Sequence, residues 1–195
     1  MLLIKKTSNS GFSMFEVLIA LVVISIGILG MVALQGRTIQ YSNESSQRNT
    51  AAMLANDLIE MIRSNRLEAI GNNGKTKDTS SYYKLAGDEF PNTNYASCQS
   101  SSGCTSAELA SNQLTMWAKQ VKNSLPIGNS DELLKDQFII CPTRLPTNSS
   151  PCSAGGSSIF IQISWLGKDT CPSGQDNCQS LDNTRKEFYR ISFQP

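Results

Sequence analysis

A single carboxylate, that of Glu16, stands at the edge of an apolar run of membrane length, Val17 to Leu34. A charged side chain in hydrocarbon is costly unless it is paired, so an intramembrane carboxylate is by default a candidate functional residue. The partner that we expect for Glu16 is an amine created by cutting the chain just ahead of it. Such a pair would make this segment a docking device.

Ordinary enzyme chemistry is disfavoured by composition. Histidine is absent, which excludes Ser-His-Asp and Cys-His nucleophilic arrangements and every His-ligated zinc site. The cysteines also lack any C-x-x-C spacing, so a redox or metal centre is the weaker interpretation. We therefore predict no catalytic residues, no metal site, no cofactor and no enzymatic activity.

An even number of cysteines in a polar, loop-rich region instead predicts disulfides formed in an oxidising compartment. Among the connectivities that six cysteines allow, we expect nearest neighbours to pair. The predicted disulfides are Cys98–Cys104, Cys141–Cys152 and Cys171–Cys178.

One alternative site involves Asp169, Asp176 and Asp182, which lie in a loop that contains Gly and Asn. Their oxygens could bind calcium, but their spacing does not match an EF-hand. A solvated connection between strands is the favoured interpretation.

The apolar run is long enough to span a bilayer. As a helix, its 18 residues cover roughly 27 Å. Lys5 and Lys6 precede it, so the positive-inside rule keeps the N-terminus cytoplasmic and sends the cysteines outward. A cleaved secretory signal would have a shorter apolar core, and a plain signal anchor would leave Gly11-Phe12 and the placement of Glu16 unexplained.

The charge of the chain argues against nucleic acid as a partner. The net charge is +1, and loss of a leader containing Lys5 and Lys6 leaves 15 basic against 16 acidic residues. A near-neutral protein is not built to hold DNA by charge.

The elements that position these residues predict an α+β fold. Apolar residues recur at steps of three and four from Ala51 to Ile62, so one helix is expected from about residue 12 to about residue 67. Thr105 and Glu108 form a candidate capping box for a second helix that ends before Pro126. Strands are predicted at 137–141, 158–166 and 187–193, joined as an antiparallel meander.

Lys5-Lys6, Gly11-Phe12, Glu16 and the long apolar helix together resemble the class III leader of type IV pilins and type II secretion pseudopilins. The resemblance implies that a prepilin peptidase cuts between Gly11 and Phe12 and methylates Phe12, and that Glu16 docks on a neighbouring subunit's N-terminal amine. It divides the chain into a leader at 1–11, a transmembrane or filament-core segment at 12–37, and a periplasmic pilin head at 38–195. It also implies the pilin fold, a long helix against an antiparallel sheet.

The stretch Glu60-Met61-Ile62-Arg63-Ser64-Asn65, and the segment that begins at Cys104, resemble the minor pilin PilV family. That resemblance implies a structural subunit that primes type IV pilus assembly, with consequences for fimbrium biogenesis, cell adhesion and twitching motility. The implied partners are other minor pilins, the major pilin, the inner-membrane assembly platform and the lipid bilayer. The implied location is the bacterial inner membrane first, then the periplasm and the cell surface.

Two alternatives remain open at this stage. The chain could be a minor pseudopilin of a type II secretion system, or an adhesin or DNA-uptake pilin whose head binds a ligand. Major pilins commonly carry a helix-bending proline about twenty residues into the mature chain, whereas Val32-Ala33-Leu34 stands there in this sequence. This difference favours a sparse subunit over the one that builds the shaft.

Overall fold

A computed structural model describes residues 13–93, 95–100, 103–128, 131–144, 151–170 and 184–195. The chain divides into two compact units, Met1–Ser45 and Ser46–Pro195. The boundary predicted between residues 37 and 38 marks the end of the membrane or filament-core segment. It differs in kind from the division into compact units and stays a prediction.

The longest element is helix α1, Met14–Ser64. In the unit Ser46–Pro195, the buried residues of α1 follow the predicted period of three and four: Ala51, Leu54, Ala55, Leu58, Ile59 and Ile62. We expected the helix to reach about residue 67, but it ends at Ser64. Asn65 leaves helical geometry, with φ −117° and ψ 53°, and donates its side-chain N–H to the carbonyl of Ser106 at 2.7 Å. A four-residue helix α2, Arg66–Ala69, follows.

Helix α3, Ser106–Ser124, shares one hydrophobic core with the buried stripe of α1. Its capping box forms as predicted, because the Thr105 side chain accepts from the Glu108 backbone and the Glu108 carboxylate accepts from the Thr105 N–H at 2.8 Å. These bonds from Thr105 hold the pKa of Glu108 below its usual value. Further along, Trp117 Nε1 donates to the Leu54 carbonyl of α1 at 2.8 Å.

The sheet is a three-stranded antiparallel meander in the order β1-β2-β3. Its strands are β1, Ile139–Thr143, β2, Ser158–Thr170, and β3, Thr184–Phe193. Ile161 pairs with Ile140 on one side and with Ile191 on the other. The predicted α+β class and the antiparallel sheet are confirmed, although the strands start or end a few residues away from the predicted bounds.

Two short elements were not predicted, the 3-10 helix Ala96–Gln99 and an α-helix just before the first strand. Helix α4, Glu132–Gln137, buries Leu133 and Leu134 against the core, and its last residue, Gln137, was expected to begin the first strand. Only two adjacent apolar residues mark the helix, which is too little for a periodic signal. The tertiary contact therefore decides the conformation.

A buried cation, Lys84, fastens α4 to the outer edge of β1. Its backbone exchanges two hydrogen bonds of 2.8 Å with Ile140, which makes an isolated bridge beside the strand. Its ammonium, on a side chain that is 2% exposed, donates to the carbonyls of Leu85, Lys135 and Phe138 at 3.1, 2.7 and 3.0 Å. All three ammonium protons therefore have acceptors, as burial of a charge requires.

Two disulfides reinforce the head. Cys98 pairs with Cys104, which directly precedes the cap of α3, and Cys141 in β1 pairs with Cys152, with Cα–Cα distances of 4.8 and 5.5 Å. Short disulfide loops of this size stabilise a fold by about 2–3 kcal/mol each. The third predicted pair, Cys171–Cys178, lies outside the described residues.

The two tryptophans provide a matched test of the contact between α1 and α3. Trp117 and Trp165 are 0% and 2% exposed, but Trp165 Nε1 has no hydrogen-bond partner among the described residues. Substitution with Phe removes similar volume at both sites, and only at Trp117 does it break a bond. Trp117→Phe should therefore lower the free energy of unfolding by about 1 kcal/mol more than Trp165→Phe. Denaturant unfolding of the full-length protein in detergent measures both, and equal losses would contradict the role of the Leu54 bond.

Burial of Lys84 predicts a pH dependence of stability. Desolvation lowers the pKa of Lys84 to about 8, against the opposing effect of Asp88 and Asp136. Between pH 8 and the higher pKa of an unfolded lysine, the unfolded chain binds more protons, so stability should rise with pH. Burial raises the pKa values of Tyr82 and Tyr83 to about 12, so their opposite effect begins only when unfolded tyrosines ionise, near pH 10.

Thermal unfolding of the full-length protein between about pH 7.5 and 9.5 measures this rise. The variant Lys84→Met should unfold at a lower temperature at pH 7.5, because three carbonyls lose their donor, and its stability should no longer rise with pH. An unchanged pH slope in Lys84→Met would contradict the assignment.

Candidate assembly interface

The first turn of α1 is built around Glu16. Ser13 precedes the helix, and its side-chain oxygen accepts the Phe15 N–H at 3.3 Å while its carbonyl accepts the Glu16 N–H at 3.0 Å. Ser13 thus acts as the N-cap, and Glu16 occupies the third helical position, where a carboxylate is favoured by the helix dipole. Sequence analysis missed this cap, although the Ser-x-x-Glu spacing of a capping box was present in the chain.

The apolar surface beyond Glu16 is bare in the isolated chain. Each residue from 13 to 46 is exposed, and the large apolar side chains from Met14 to Leu34 are 45–86% exposed. Burying such a surface is favourable by roughly 25 cal/mol per Å². The helix is long and apolar enough to cross a membrane, and the same surface suits a bundle of similar helices.

Two polar side chains in or beside the apolar run, those of Ser25 and Glu16, differ in whether they have a partner. Ser25 Oγ donates to the carbonyl of Leu21 at 2.7 Å, so this hydroxyl is compatible with an apolar environment. Glu16 is the only charged residue between Lys6 and Arg37. Among the residues that the structure describes, no cation lies within ion-pair distance of its carboxylate.

The remaining predicted site residues are only partly placed. Gly11 and Phe12 lie outside the described residues, so cleavage and docking at these positions stay predictions. Asp176 and Asp182 of the calcium alternative also fall outside them, and nothing is described of the Asp169 side chain. Within the described ranges, no group of three or more Cys, Asp or Glu side chains is placed to hold a metal ion.

Two protein-family profiles match the N-terminal part of the chain. The family profile of the prokaryotic N-terminal methylation motif matches residues 6–32, and that of the family described as Type IV pilin Tt1218 matches residues 33–114. Searches of curated proteins and of solved structures found no match to the chain.

The two matched ranges include the candidate site residues and the packed part of α1. The methylation motif includes Gly11, Phe12 and Glu16, and the pilin profile runs from the end of the apolar segment through the packed half of α1 into α3. A pilin is a structural subunit and not an enzyme, and its leader motif implies cleavage by prepilin peptidase and assembly with other pilins. The chain is therefore similar to type IV pilins over residues 33–114 and to the N-terminal methylation motif of class III leaders over residues 6–32, which supports a pilin subunit.

Proposed function

We propose that this protein is a minor pilin of the PilV kind, which helps to prime type IV pilus assembly together with other minor pilins and the major pilin. In this proposal α1 holds the protein in the inner membrane until it is extracted into the pilus. The head, residues 38–195, faces the periplasm and later the cell surface. Its place at the tip would bring it into contact with surfaces during adhesion and twitching.

The observation that carries the proposal is the carboxylate of Glu16 at the start of a bare apolar helix. Lipid alone gives this carboxylate no partner, whereas a helical bundle of processed subunits brings an N-terminal amine close to it. Opposite charges attract far more strongly in a low dielectric than in water, and pairing removes the cost of burying either one alone. Entry into a bundle would therefore bury the apolar surface and give the Glu16 carboxylate a cationic partner.

Two features of α1 support a minor subunit. The helix runs from Met14 to Ser64 without proline, which differs from the bent helix that is common in major pilins. The stretch Glu60–Asn65, in which PilV resemblance is concentrated, forms the end of α1 and its junction with α3 through the bond from Asn65 to Ser106.

A minor pseudopilin shares the leader and the long helix, and it differs in the assembly that it joins. Affinity purification from crosslinked membranes separates the two: recovery of pilus minor pilins and the major pilin is expected. Recovery of secretion pseudopilins alone would overturn the assignment to a pilus.

The variant Glu16→Ala tests the docking role. Removing one member of a buried ion pair costs about 3–5 kcal/mol, so incorporation into pili should fall by more than about a hundredfold while leader cleavage continues. Glu44→Ala is the matched control, because Glu44 is an exposed carboxylate on the same helix beyond the apolar run. Quantitative immunoblots of sheared pili and of membranes measure both pools, and normal piliation by Glu16→Ala as the sole copy would contradict the proposal.

Cleavage after Gly11 has its own test. A bulky side chain at the cut site should block the peptidase, so Gly11→Val should retain residues 1–11, including Lys5 and Lys6. Intact mass spectrometry of the membrane-extracted protein reports the leader directly, and it also reports methylation of Phe12 in the wild type. A mature mass for Gly11→Val would place the cut elsewhere.

A further inference from the structure

The apolar surface of α1 has a charged residue at its far end as well as at its start. Arg37 is the first charged residue after Glu16 and follows it by 21 positions in the same helix. At 1.5 Å per residue the two positions are roughly 32 Å apart along the helix axis, which is close to the hydrocarbon thickness of a bilayer. A membrane-spanning helix with Glu16 at one surface therefore places Arg37 at the other.

The charge of Arg37 is not neutralised by the chain around it. The residue is exposed, and no ion pair joins it to an acid among the described residues. The positions one helical turn away carry no charge; they are Ala33, Leu34, Gln40 and Tyr41. The guanidinium is therefore available to an anion from the surroundings.

Arg37 lies within the apolar surface, not beyond it. Leu34 and Tyr41, three residues before and four residues after it, lie on the same face of the helix, and both are exposed. Ile39, on another side of the helix, is exposed as well. Residues 42–50 then contain no large apolar side chain, so the apolar surface of this part of α1 ends at Tyr41.

An arginine followed one turn later by a tyrosine suits the boundary between hydrocarbon and lipid headgroups. The aliphatic stem of arginine lies along apolar surface while its charged end reaches the headgroups, and a tyrosine ring is favoured at the same level. A guanidinium also donates two parallel N–H bonds to one phosphate, which a lysine ammonium does not. The anion that every phospholipid offers at this depth is its phosphate.

A carboxylate of a neighbouring subunit is the competing anion. It becomes available only when helices assemble into a bundle, whereas lipid phosphates surround the helix for as long as the subunit stays in the membrane. The apolar side chains on both sides of Arg37 match the lipid boundary directly, without any assumption about a neighbour's sequence. Lipid is therefore the favoured occupant.

We propose that Arg37, with Tyr41 beside it, binds the phosphate of a phospholipid in the periplasmic leaflet of the inner membrane. This contact fixes the depth of α1, so that Glu16 stays at the cytoplasmic boundary and the Gly11–Phe12 bond stays within reach of the peptidase. The proposal rests on the proposed function, because it requires α1 to span the membrane with its N-terminus in the cytoplasm. It assigns Arg37 a positioning role before assembly.

Solid-state NMR between the arginine Cζ carbon and lipid phosphorus tests the contact. Full-length protein labelled with ¹³C at arginine Cζ would be reconstituted into phospholipid vesicles in a phosphate-free buffer, so that lipid is the source of all phosphorus. Charge-assisted bonds to phosphate predict strong dephasing, with the carbon and the phosphorus within about 5 Å of each other.

Two variants assign that signal to one residue. Arg37→Gln should lose the dephasing, whereas Arg48→Gln, at an exposed arginine further along α1, is the matched control and should keep it. Wild-type protein without dephasing, or Arg37→Gln with undiminished dephasing, would overturn the proposal. If dephasing is absent in vesicles but Arg37→Gln lowers incorporation into pili, a neighbouring carboxylate is the occupant, and the lipid proposal is overturned as well.

Moving the cation tests whether the contact sets the depth of the helix. The double variant Leu34→Arg, Arg37→Leu keeps the composition and brings the cation three residues closer to Glu16, about 4.5 Å along the axis. Anchoring at the new position draws Glu16 into hydrocarbon, so leader cleavage by prepilin peptidase in vesicles should slow by about tenfold or more. Arg37→Lys, which keeps a cation in place, should be cleaved at close to the wild-type rate. Cleavage of the double variant at the wild-type rate would contradict the depth role.

The Glu16→Ala variant separates failure of this proposal from failure of the proposed function. If Glu16→Ala is not incorporated into pili while the Arg37→Gln signal equals that of the wild type, the lipid contact falls and the pilin role stands. If wild-type protein shows no dephasing and Glu16→Ala is incorporated normally, both fall.

Discussion

The placement of the Glu16 carboxylate at the start of a long, exposed apolar surface is the constraint on which the proposed assembly depends. A helix that places one charge at the start of a long apolar surface is unfavourable in lipid unless a cation meets that charge. Among the described residues no cation pairs with Glu16, and we propose that cleavage of the leader creates one at the new N-terminus of each subunit. We propose that the apolar area and the Glu16 carboxylate together favour assembly of the subunit.

The buried residues that form the core of the head lie in the unit Ser46–Pro195, after the apolar half of α1. The stability of the head comes from the remaining half of α1, which is held by α3 through the Trp117–Leu54 bond and by the sheet behind it. Two disulfides fasten the start of α3 and the strand β1. Lys84 closes one edge of the sheet by its backbone bonds to Ile140.

The sequence predicted what depends on local pattern. The packed stripe of α1, the capping box at Thr105 and the alternating strands follow from periodicities of 3.6 and 2 and from short-range bonds. Features that depend on distant partners could not be predicted: Lys84 looks like an ordinary surface lysine until residues 135 and 138 surround it. Helix α4 and the end of α1 at Asn65 depend in the same way on tertiary contacts. At the candidate site, Glu16 was identified because a charge in an apolar run is conspicuous, whereas the Ser13 cap was overlooked despite its Ser-x-x-Glu spacing.

A solid-state NMR distance between the Glu16 carboxylate carbon and the N-terminal amine nitrogen of neighbouring subunits tests the central claim most directly. Pili would be assembled from this protein labelled with ¹³C at the glutamate carboxyl and from subunits labelled with ¹⁵N at their first residue. Pairing predicts strong dipolar dephasing, with the two groups within about 4 Å of each other. Absence of dephasing in assemblies that contain the labelled protein would show that the carboxylate is neutralised in another way and would contradict the docking role of Glu16.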